Sequence, residues 1–249
     1  MRLLITGHTG FVGRHLLRLL SNGTLNSPVK KLITPSSNDL DLLSGMAADQ
    51  IIKTLQPTHV LHLAWARTGL EYYDLADSHK IWGDRTFSLV RDLSDSGIIS
   101  WVVGTGLEAH DNAGGLSPYG LAKAELRNGV IQLDSSSSRW ISLPYIFSVF
   151  HQRPRLVNSY LQGNSPLYPH KEEDYLEIRD VARQLANIVF TDSDQACSIS
   201  SQRQTSNVKL CSQIKRRSGE EEFKSCSCLD GYMLSSDESG SFYTSLLLD

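Results

Sequence analysis

A tyrosine and a lysine stand at a spacing that could move a proton. Tyr119 lies four residues before Lys123 in the stretch SPYGLAK, and residues four apart share one face of a helix. A free tyrosine has a pKa near about 10, and a neighbouring ammonium lowers that pKa because it favours the phenolate. Such a pair can exchange a proton with a substrate hydroxyl or carbonyl group. The alternative is a surface helix that happens to carry both residues, and the stretch alone leaves it open.

A third group is needed to hold the substrate oxygen. Thr105, in the stretch VVGTGLEAH, follows a predicted buried strand and suits that role. Lys123 could also hydrogen-bond the ribose of a nicotinamide cofactor. Thr105, Tyr119 and Lys123 are therefore the candidate catalytic residues.

These residues need elements that bring them together, and the first 145 residues alternate strands with helices. Short apolar runs predict strands at Arg2–Thr6, Val29–Thr34, His59–Ala64 and Ile98–Val103, and a fifth strand with its exit at Trp140–Phe147. Helical spacing predicts helices at Phe11–Leu20, Ser44–Leu55, Asp77–Ser96 and Pro118–Leu133, with Ser44 and Ser117 as N-caps. This alternation predicts an α/β fold, a doubly wound parallel sheet of the Rossmann type. Ligands of such sheets bind at the carboxyl ends of the strands.

The loop after the first strand has the composition of a phosphate-binding turn. Gly7, Gly10 and Gly13 recur every three residues in TGHTGFVG, between a strand and a helix. Glycines permit the tight turn and the close approach of backbone amides to a pyrophosphate, and the helix dipole favours its charge. We expect a bound dinucleotide here. A purely structural turn is the alternative.

The loop after the second strand bears on the choice of dinucleotide. Rossmann folds often place an acid there to hold the adenosine ribose, whereas Thr34–Asn38 contains none. Ser36, Ser37 or Arg14 could instead contact a 2′-phosphate. The sequence thus favours NADP over NAD, unless this loop contacts nothing.

The pattern becomes less regular after residue 150. An amphipathic helix is predicted at Glu177–Phe190, a strand at ACSIS, and a helix capped by Ser206 that ends at Gly219. We expect a Rossmann domain at 1–145 and a small C-terminal substrate-binding lobe at 146–249, interleaved with the core. The residues after 220 match no pattern.

Composition narrows the function classes. A net charge of −3 and a pI of about 6.2 favour neither a nucleic-acid nor a membrane-surface partner. No apolar run approaches the ~20 residues of a membrane span, and the N-terminus does not read as a signal peptide. The chain has four cysteines, whose spacing does not fit a zinc site. Reduced thiols and a cytoplasmic setting are expected.

Together these residues resemble the extended short-chain dehydrogenase/reductase family, in its NAD(P)-dependent epimerase, dehydratase and reductase branch acting on nucleotide sugars. The resemblance covers roughly residues 1–220, and the motifs agree in order and spacing. The matching stretches are TGHTGFVG, NDLDLLS, HLAW, GTGLE, YGLAK, LPYIF and EIRDVAR.

The resemblance implies a set of site residues. Cofactor contacts are expected from Gly7, Thr9, Gly10, Phe11, Val12, Gly13, Asp41, Leu42, Leu63, Ala64, Trp65, Tyr119, Lys123, Pro144, Tyr145 and Ile146. Substrate contacts are expected from Thr68, Gly106, Arg153 and Arg155. The two arginines could pair with a diphosphate or form an exposed basic loop. His62 is expected to be a core histidine rather than a ligand.

The resemblance also narrows the reaction. Dehydratases of the family pair an Asp and a Glu just after the catalytic Ser/Thr, whereas Glu108 here stands without that dyad. The family's mid-helix asparagine falls at Trp82 or Gly83, which puts a relay through that asparagine in doubt. Reduction of a 4-keto sugar ranks first and epimerisation second, and a non-catalytic sensor is the remaining alternative.

The resemblance also implies a homodimer that forms through the YxxxK helix.

Overall fold

The computed structural model describes residues 1–22, 25–65, 75–108, 116–133, 136–148, 170–192 and 196–217. They fall into two compact units, each assembled from separate stretches of sequence. The first unit comprises Met1–Arg14, Ser27–Leu143 and Ile188–Ser198. The second comprises His15–Asn26, Pro144–Asn187 and the described residues from Ile199 onward. The predicted division at residue 145 stays a prediction.

Strands and helices alternate up to residue 142. The elements are β1 (Arg2–Thr6), α1 (Phe11–Ser21), β2 (Lys31–Ile33), α2 (Ala47–Gln50), β3 (His59–His62), α3 (Ala76–Asp95), β4 (Ile99–Val103), α4 (Pro118–Gln132) and β5 (Ser138–Ser142). Helix α2 continues as one π-helical stretch, Ile51–Leu55, and a single 3₁₀ turn, Gly106–Glu108, follows β4. The predicted alternation is confirmed.

The first unit holds a six-stranded sheet in the order β2-β1-β3-β4-β5-β8, where β8 is Cys197–Ser198. All five strand pairs are parallel. β2 and β3 flank β1 on opposite sides, so the chain reverses its direction of winding beside β1. Open α/β sheets bind ligands at the carboxyl ends of the strands on such a switch point. The fold is Rossmann-like, as predicted.

The central strands β1, β3 and β4 are buried on both faces, which is why they are largely apolar runs rather than alternating ones. Leu3, Leu4 and Ile5 of β1 are each at most 1% exposed. Two clusters pack the sheet on its helices. Leu4 and Val60 cluster with Ala47, Ala48, Leu89 and Leu93 of α2 and α3. Val102 and Trp140 cluster with Val90 of α3 and with Leu126 and Val130 of α4.

The second unit has a smaller sheet of three strands. β6 (Tyr145–Phe147) pairs in parallel with β7 (Glu172–Glu177), and β7 pairs antiparallel with β9 (Gln204–Ser206). Its remaining helices are α5 (Ile178–Thr191), whose C-terminal residues belong to the first unit, and α6 (Asn207–Arg217). The Lys209 N–H donates to Ser206 Oγ at 3.4 Å, which agrees with the predicted cap.

Several predicted boundaries differ from the structure. The predicted fifth strand and its exit, Trp140–Phe147, span parts of two strands in different sheets, β5 and β6, divided at Leu143 and Pro144. Proline has no N–H to donate to a ladder, which explains the break. The predicted helix at Glu177 starts one residue later, because Glu177 ends β7.

The predicted cap at Ser44 is also wrong. Gly45, at φ 74°, turns the chain between Ser44 and the helix, so α2 begins at Ala47. The N-cap is Met46, whose side chain makes no capping hydrogen bond. The Ser44 hydroxyl instead accepts from the Met46 N–H at 3.2 Å.

Candidate functional site

The glycine loop between β1 and α1 is shaped by close backbone contacts. Gly7 has φ 68°, a left-handed conformation that favours glycine. A Cβ on Gly7 would lie 2.6 Å from the Ala64 nitrogen, and one on Gly13 would lie 2.5 Å from the Gly7 oxygen. The Gly10 N–H donates to that same oxygen at 2.9 Å. Glycine is therefore required at positions 7 and 13 for steric reasons.

This loop fits a dinucleotide pyrophosphate. Gly7 and Gly13 permit a tightly packed turn, and the loop leads into a helix of 11 residues with no acid in its first turn. A helix N-terminus without a nearby carboxylate attracts an anion. Of the other predicted loop contacts, Thr9 is exposed, and Phe11 and Val12 are half-buried.

The end of β3 lies directly beside the loop. Leu63 and Ala64 form the backbone against which Gly7 packs. His62 is buried, with Nδ1 at 3.0 Å from Thr6 Oγ1 and Nε2 at 3.3 Å from Thr86 Oγ1. Burial, together with the positive charge of Lys123, lowers the pKa of His62 to about 3. His62 is thus a neutral core histidine, as the sequence predicted.

The start of α4 positions Tyr119 and Lys123. Ser117 is the N-cap, as predicted, and its side chain accepts from the Gly120 N–H at 3.1 Å. Lys123 is 4% exposed, and its Nζ donates to the carbonyl of Val103, the last residue of β4, at 3.0 Å. Burial lowers the pKa of Lys123 to about 7, against the opposing pull of Glu108. This lysine can therefore gain and lose a proton near neutral pH.

Aromatic rings surround the ammonium group. Lys123 Nζ lies 3.8 Å from the centre of the Trp65 ring, a cation–π contact. Trp65 Nε1 donates to His79 Nδ1 at 3.1 Å. The Tyr119 ring meets His79 edge-on at 5.3 Å and Trp65 at 6.2 Å. Trp82, at one of the two places expected for the asparagine, lies 6.3 Å from Trp65.

Sequence reasoning missed His79. It lies one helical turn before Trp82 on α3 and is fully buried. The available signal was a histidine near the start of a helix that follows the HLAW strand end. Only the packing of α3 on α4 shows that its ring reaches Trp65 and Tyr119.

Thr105 stands at the carboxyl end of β4, in the same part of the sheet as Lys123. Its backbone N–H donates to Glu108 Oε2 at 3.2 Å. Glu108 Oε1 accepts from Trp140 Nε1 at 2.9 Å and from the Ser142 hydroxyl. Gly106 begins the 3₁₀ turn that carries Glu108 back toward Thr105. The three predicted catalytic residues thus lie in one unit, at or beyond the end of β4.

The loop after β2 carries an acid, Asp39, one residue beyond the acid-free stretch Thr34–Asn38. The Ser36 hydroxyl donates to Asp39 Oδ2 at 2.7 Å, which brings that carboxylate back toward the strand end. This hydrogen bond lowers the pKa of Asp39. Asp41, a predicted adenine contact, is exposed and accepts from the Leu43 N–H at 2.9 Å, while Leu42 packs against the core.

The remaining predicted residues divide into two groups. Pro144, Tyr145 and Ile146 belong to the second unit, where Tyr145 lies 5.6 Å from Tyr175. Thr68, Arg153 and Arg155 lie outside the described residues. The contacts predicted for all of these residues stay predictions.

Two classes of site find no support in the described part of the chain. Among those residues, His, Cys, Asp and Glu form no group of three or more that could hold a metal ion. None of the described helices combines the length and apolarity that a membrane crossing requires. Of the described cysteines, Cys197 and Cys211 are free thiols, and burial raises the pKa of Cys211 to about 11.

Comparisons with known proteins agree with this geometry. The model of the NAD dependent epimerase/dehydratase family matches residues 3–81. A dTDP-4-dehydrorhamnose reductase from Clostridium acetobutylicum superposes with a TM-score of 0.70 at 18% identity, covering 100% of each chain. The family model confirms the predicted resemblance over residues 3–81, and the superposition confirms the Rossmann fold.

Two further solved structures share the fold. A GDP-mannoheptose C4 reductase from Campylobacter jejuni, with NADP bound, has a TM-score of 0.69 at 14% identity, covering 88% of this chain and 84% of that one. A UDP-glucose 4-epimerase from Thermus thermophilus, in complex with NAD, has a TM-score of 0.63 at 18% identity, with the same coverage. At these identities the similarity is one of fold.

Proposed function

We propose that this protein is an NAD(P)-dependent oxidoreductase that acts on a nucleotide-linked sugar. Its most fitting reaction is reduction of a 4-keto-6-deoxy sugar by hydride transfer, with Tyr119 as general acid. The observation that carries this proposal is the buried Lys123, one helical turn beyond Tyr119, with a pKa near 7 and a hydrogen bond to the end of β4. A surface helix that carried the two residues by chance would leave that lysine in water.

Each of the three residues has a role in this reaction. The cofactor, when bound, supplies the hydride from its nicotinamide ring. Tyr119 donates a proton to the substrate oxygen as negative charge develops there. Thr105 orients that oxygen, and Lys123 favours the phenolate that Tyr119 becomes and holds the ribose.

The comparisons support this chemistry without defining it. The C. jejuni and C. acetobutylicum neighbours are named as nucleotide-sugar reductases, and the former holds NADP. The glycine loop supports dinucleotide binding independently, since its tight turn leads into a helix N-terminus with no acid in the first turn. A sensor that binds the dinucleotide without turnover would not need Tyr119 and Thr105, which this chain retains.

Two groups in the loop after β2 act in opposite directions on cofactor choice. Ser36 and Ser37 can donate to a 2′-phosphate, whereas the Asp39 carboxylate beside Ser36 would repel it. Asp39 is fully exposed, so solvent and salt screen its charge. We therefore retain NADP as the preferred cofactor in this proposal, with NAD as the alternative.

Epimerisation is the second candidate. The T. thermophilus neighbour is named as a 4-epimerase that holds NAD. Such a reaction uses the same three residues but returns the hydride to the sugar, so no net cofactor is consumed. Dehydration fits less well, because Glu108 is already hydrogen-bonded to Thr105, Trp140 and Ser142.

A homodimer through α3 and α4 belongs to the same proposal. A groove of about 250 Å³ between these helices is lined by Gly83, Phe87, Ala122, Leu126 and Gly129, with charged residues at its rim. Ile81 and Leu121 on the same helices are 51% and 49% exposed. A second copy would cover these side chains. Light scattering that shows a monomer at micromolar concentration would contradict this homodimer.

A cytoplasmic location is also part of the proposal.

The deciding experiment is a cofactor titration followed by a substrate panel. The purified protein is titrated with NADPH and NADH by fluorescence, then mixed with nucleotide-linked 4-keto sugars while absorbance at the reduced-nicotinamide band is followed. Binding and oxidation of NADPH with one sugar is the expected result. Tight cofactor binding with interconversion of sugars but no oxidation would favour the epimerase, and no binding of either cofactor would overturn the proposal.

A further inference from the structure

Glu108 is a buried carboxylate whose oxygens both have donors. Its side chain lies among residues at the ends of β4 and β5 and is 8% exposed. Oε2 accepts from the Thr105 N–H at 3.2 Å, and Oε1 accepts from Trp140 Nε1 at 2.9 Å and from the Ser142 hydroxyl. A buried carboxylate is costly unless it is hydrogen-bonded in this way, so the site is built to hold a negative charge.

The backbone around Glu108 is shaped to admit it. A Cβ on Gly104 would overlap the Trp140 ring and lie 2.5 Å from Glu108 Oε2. The Gly104 N–H donates to the Ile141 carbonyl at 2.7 Å, which ties the chain just before Thr105 to β5. Thr105 is therefore held on one side by its own strand and on the other by Glu108.

Glu108 and Lys123 both bond to backbone at the end of β4, since Lys123 Nζ donates to the Val103 carbonyl and Glu108 Oε2 accepts from the Thr105 N–H. The charge of Glu108 raises the pKa of Lys123 against the effect of burial. His62 from β3 interacts electrostatically with Lys123. His79 from α3 and Tyr119 contact Trp65, the ring over which the ammonium lies. His62 is neutral at working pH, because its pKa is about 3. Glu108 is thus the anion whose charge acts on this ammonium.

We propose that Glu108 is a positioning residue for the reaction, which fixes Thr105 through its backbone N–H and keeps Lys123 protonated by supplying its counter-charge. The inference rests on the proposed function, because Thr105 and Lys123 act only if the protein turns over a substrate. Glu108 itself touches neither substrate nor cofactor in this role. The alternative is that Glu108 only tethers Trp140 and Ser142 for stability.

The variant Glu108→Gln removes the negative charge of the side chain while keeping its size. The amide of Glu108→Gln has one acceptor oxygen, whereas Trp140 Nε1 and the Thr105 N–H both require one. The variant therefore loses one of these hydrogen bonds together with the negative charge. Ser142→Ala is the matched comparison, because it removes one donor from Glu108 and leaves the charge. Asp95→Asn, an exposed change at the end of α3, controls for loss of any acid.

The experiment measures kcat, KM and NADPH affinity of these variants between pH 6 and about 9, on the sugar that the wild type reduces. Glu108→Gln is expected to lower kcat roughly 10- to 100-fold, because a displaced Thr105 no longer orients the oxygen. The alkaline fall in kcat should begin at least about half a pH unit lower, because Lys123 loses its proton more easily. Ser142→Ala and Asp95→Asn should leave that alkaline limb in place.

The outcomes separate this inference from the proposed function. If the wild type reduces no sugar, the proposed function is wrong and the positioning role falls with it. If the wild type is active and Glu108→Gln keeps both its kcat and its alkaline limb, only this inference is overturned. A lower kcat with an unmoved limb assigns Glu108 a tethering role alone, which also contradicts the proposal.

A second variant covers the case in which Glu108→Gln does not fold. Glu108→Asp keeps the charge but shortens the side chain by one methylene group, so that it reaches Thr105 poorly. The proposal then predicts a lower kcat with an alkaline limb at the wild-type pH. A limb that moved in this variant would show that Glu108 does not act on Lys123 through its charge.

Discussion

The glycine loop after β1 and the corner beyond β4 lie at the same edge of one sheet but are built in opposite ways. The loop is made by backbone, since Gly7 and Gly13 leave no room for a Cβ. The corner is made by buried side chains of opposite charge, Glu108 and Lys123, 8% and 4% exposed. The glycine loop depends on residues without a side chain, whereas the corner beyond β4 depends on two buried charged side chains.

This difference determines what each region responds to. A close backbone contact is insensitive to pH and salt, whereas a buried ammonium with a pKa near 7 changes charge within the physiological range. Steric substitutions should therefore damage the loop equally at every pH. Substitutions at the corner should alter pH dependence as well as rate.

The largest expected effect is at the corner. Tyr119→Phe removes the phenolic hydroxyl while keeping the ring that contacts His79 and Trp65. We expect kcat to fall by roughly 10²- to 10⁴-fold, because general acid catalysis is lost. NADPH affinity, measured by fluorescence titration, should change little. Unchanged turnover in Tyr119→Phe would show that Tyr119 is not the general acid. If the wild type binds NADPH but turns over no sugar, the protein is a sensor.

The loop should respond next, and for steric reasons. A Cβ introduced by Gly7→Ala would lie 2.6 Å from the Ala64 nitrogen. We expect NADPH binding to weaken at least about 100-fold, at pH 6.5 and pH 8.5 alike, because the loop must move away from the end of β3. The measurement is a calorimetric titration at both pH values.

Gly97→Ala is the matched control for the loop variant. Gly97 has φ 71°, close to that of Gly7, but a Cβ there would meet no atom within 4 Å. This variant carries the backbone strain without the contact, so it should lose only about 1 kcal/mol of stability and bind NADPH normally. Equal loss of binding in both variants would assign the effect to strain rather than to contact.

A smaller effect is expected on stability. The pKa of Lys123 is lowered from 10.5 to about 7 in the folded chain, so the unfolded chain binds more protons between these values. Folding stability from this group is therefore lost as pH falls from 10.5 toward 7 and gained as pH rises. Between pH 7 and about 8.5 the gain is at most about 2 kcal/mol.

Lys123→Met isolates that contribution. Urea unfolding of the cofactor-free protein at the two pH values should show the pH-dependent gain in the wild type and not in the variant. Using the difference between the two proteins cancels groups they share, such as Cys211, whose pKa burial raises to about 11. An identical pH dependence in both proteins would mean that Lys123 is not the group that titrates.

The smallest effect is expected at the loop after β2. Asp39→Asn removes a fully exposed charge that is held by Ser36. The ratio of NADPH to NADH affinity should rise only a few-fold, and the gain should shrink at high salt because the charge is screened. A ratio that stayed constant would show that neither cofactor places its ribose near Asp39.

The features that sequence could predict are local ones. The glycine loop, the Ser117 cap and the spacing of Tyr119 and Lys123 each lie within a few residues, so their geometry follows from turn and helix rules. The buried parallel strands were predictable for a similar reason, since two-sided burial makes an apolar run. These features were enough to predict the Rossmann fold and the carboxyl edge of the sheet.

The features that sequence could not predict depend on strand register. Glu108 meets Trp140 and Ser142 only because β4 and β5 pair as Val102 with Trp140 and Val103 with Ile141. A shift of one residue would turn Trp140 to the opposite face. The hydrogen bond between Trp65 and His79 depends on how α3 packs. The hydrogen bond from Ser36 to Asp39 depends on the path of the loop after β2.

The late position of β8 has a consequence for how the chain is made. β5 receives its outer neighbour only at Cys197–Ser198, after the whole Pro144–Asn187 segment has been synthesised. While that segment emerges from the ribosome, the edge of β5 presents unpaired N–H and C=O groups. The nascent chain is thus open to pairing with a neighbouring nascent copy during this interval, and a chain that stops before residue 196 keeps that edge permanently.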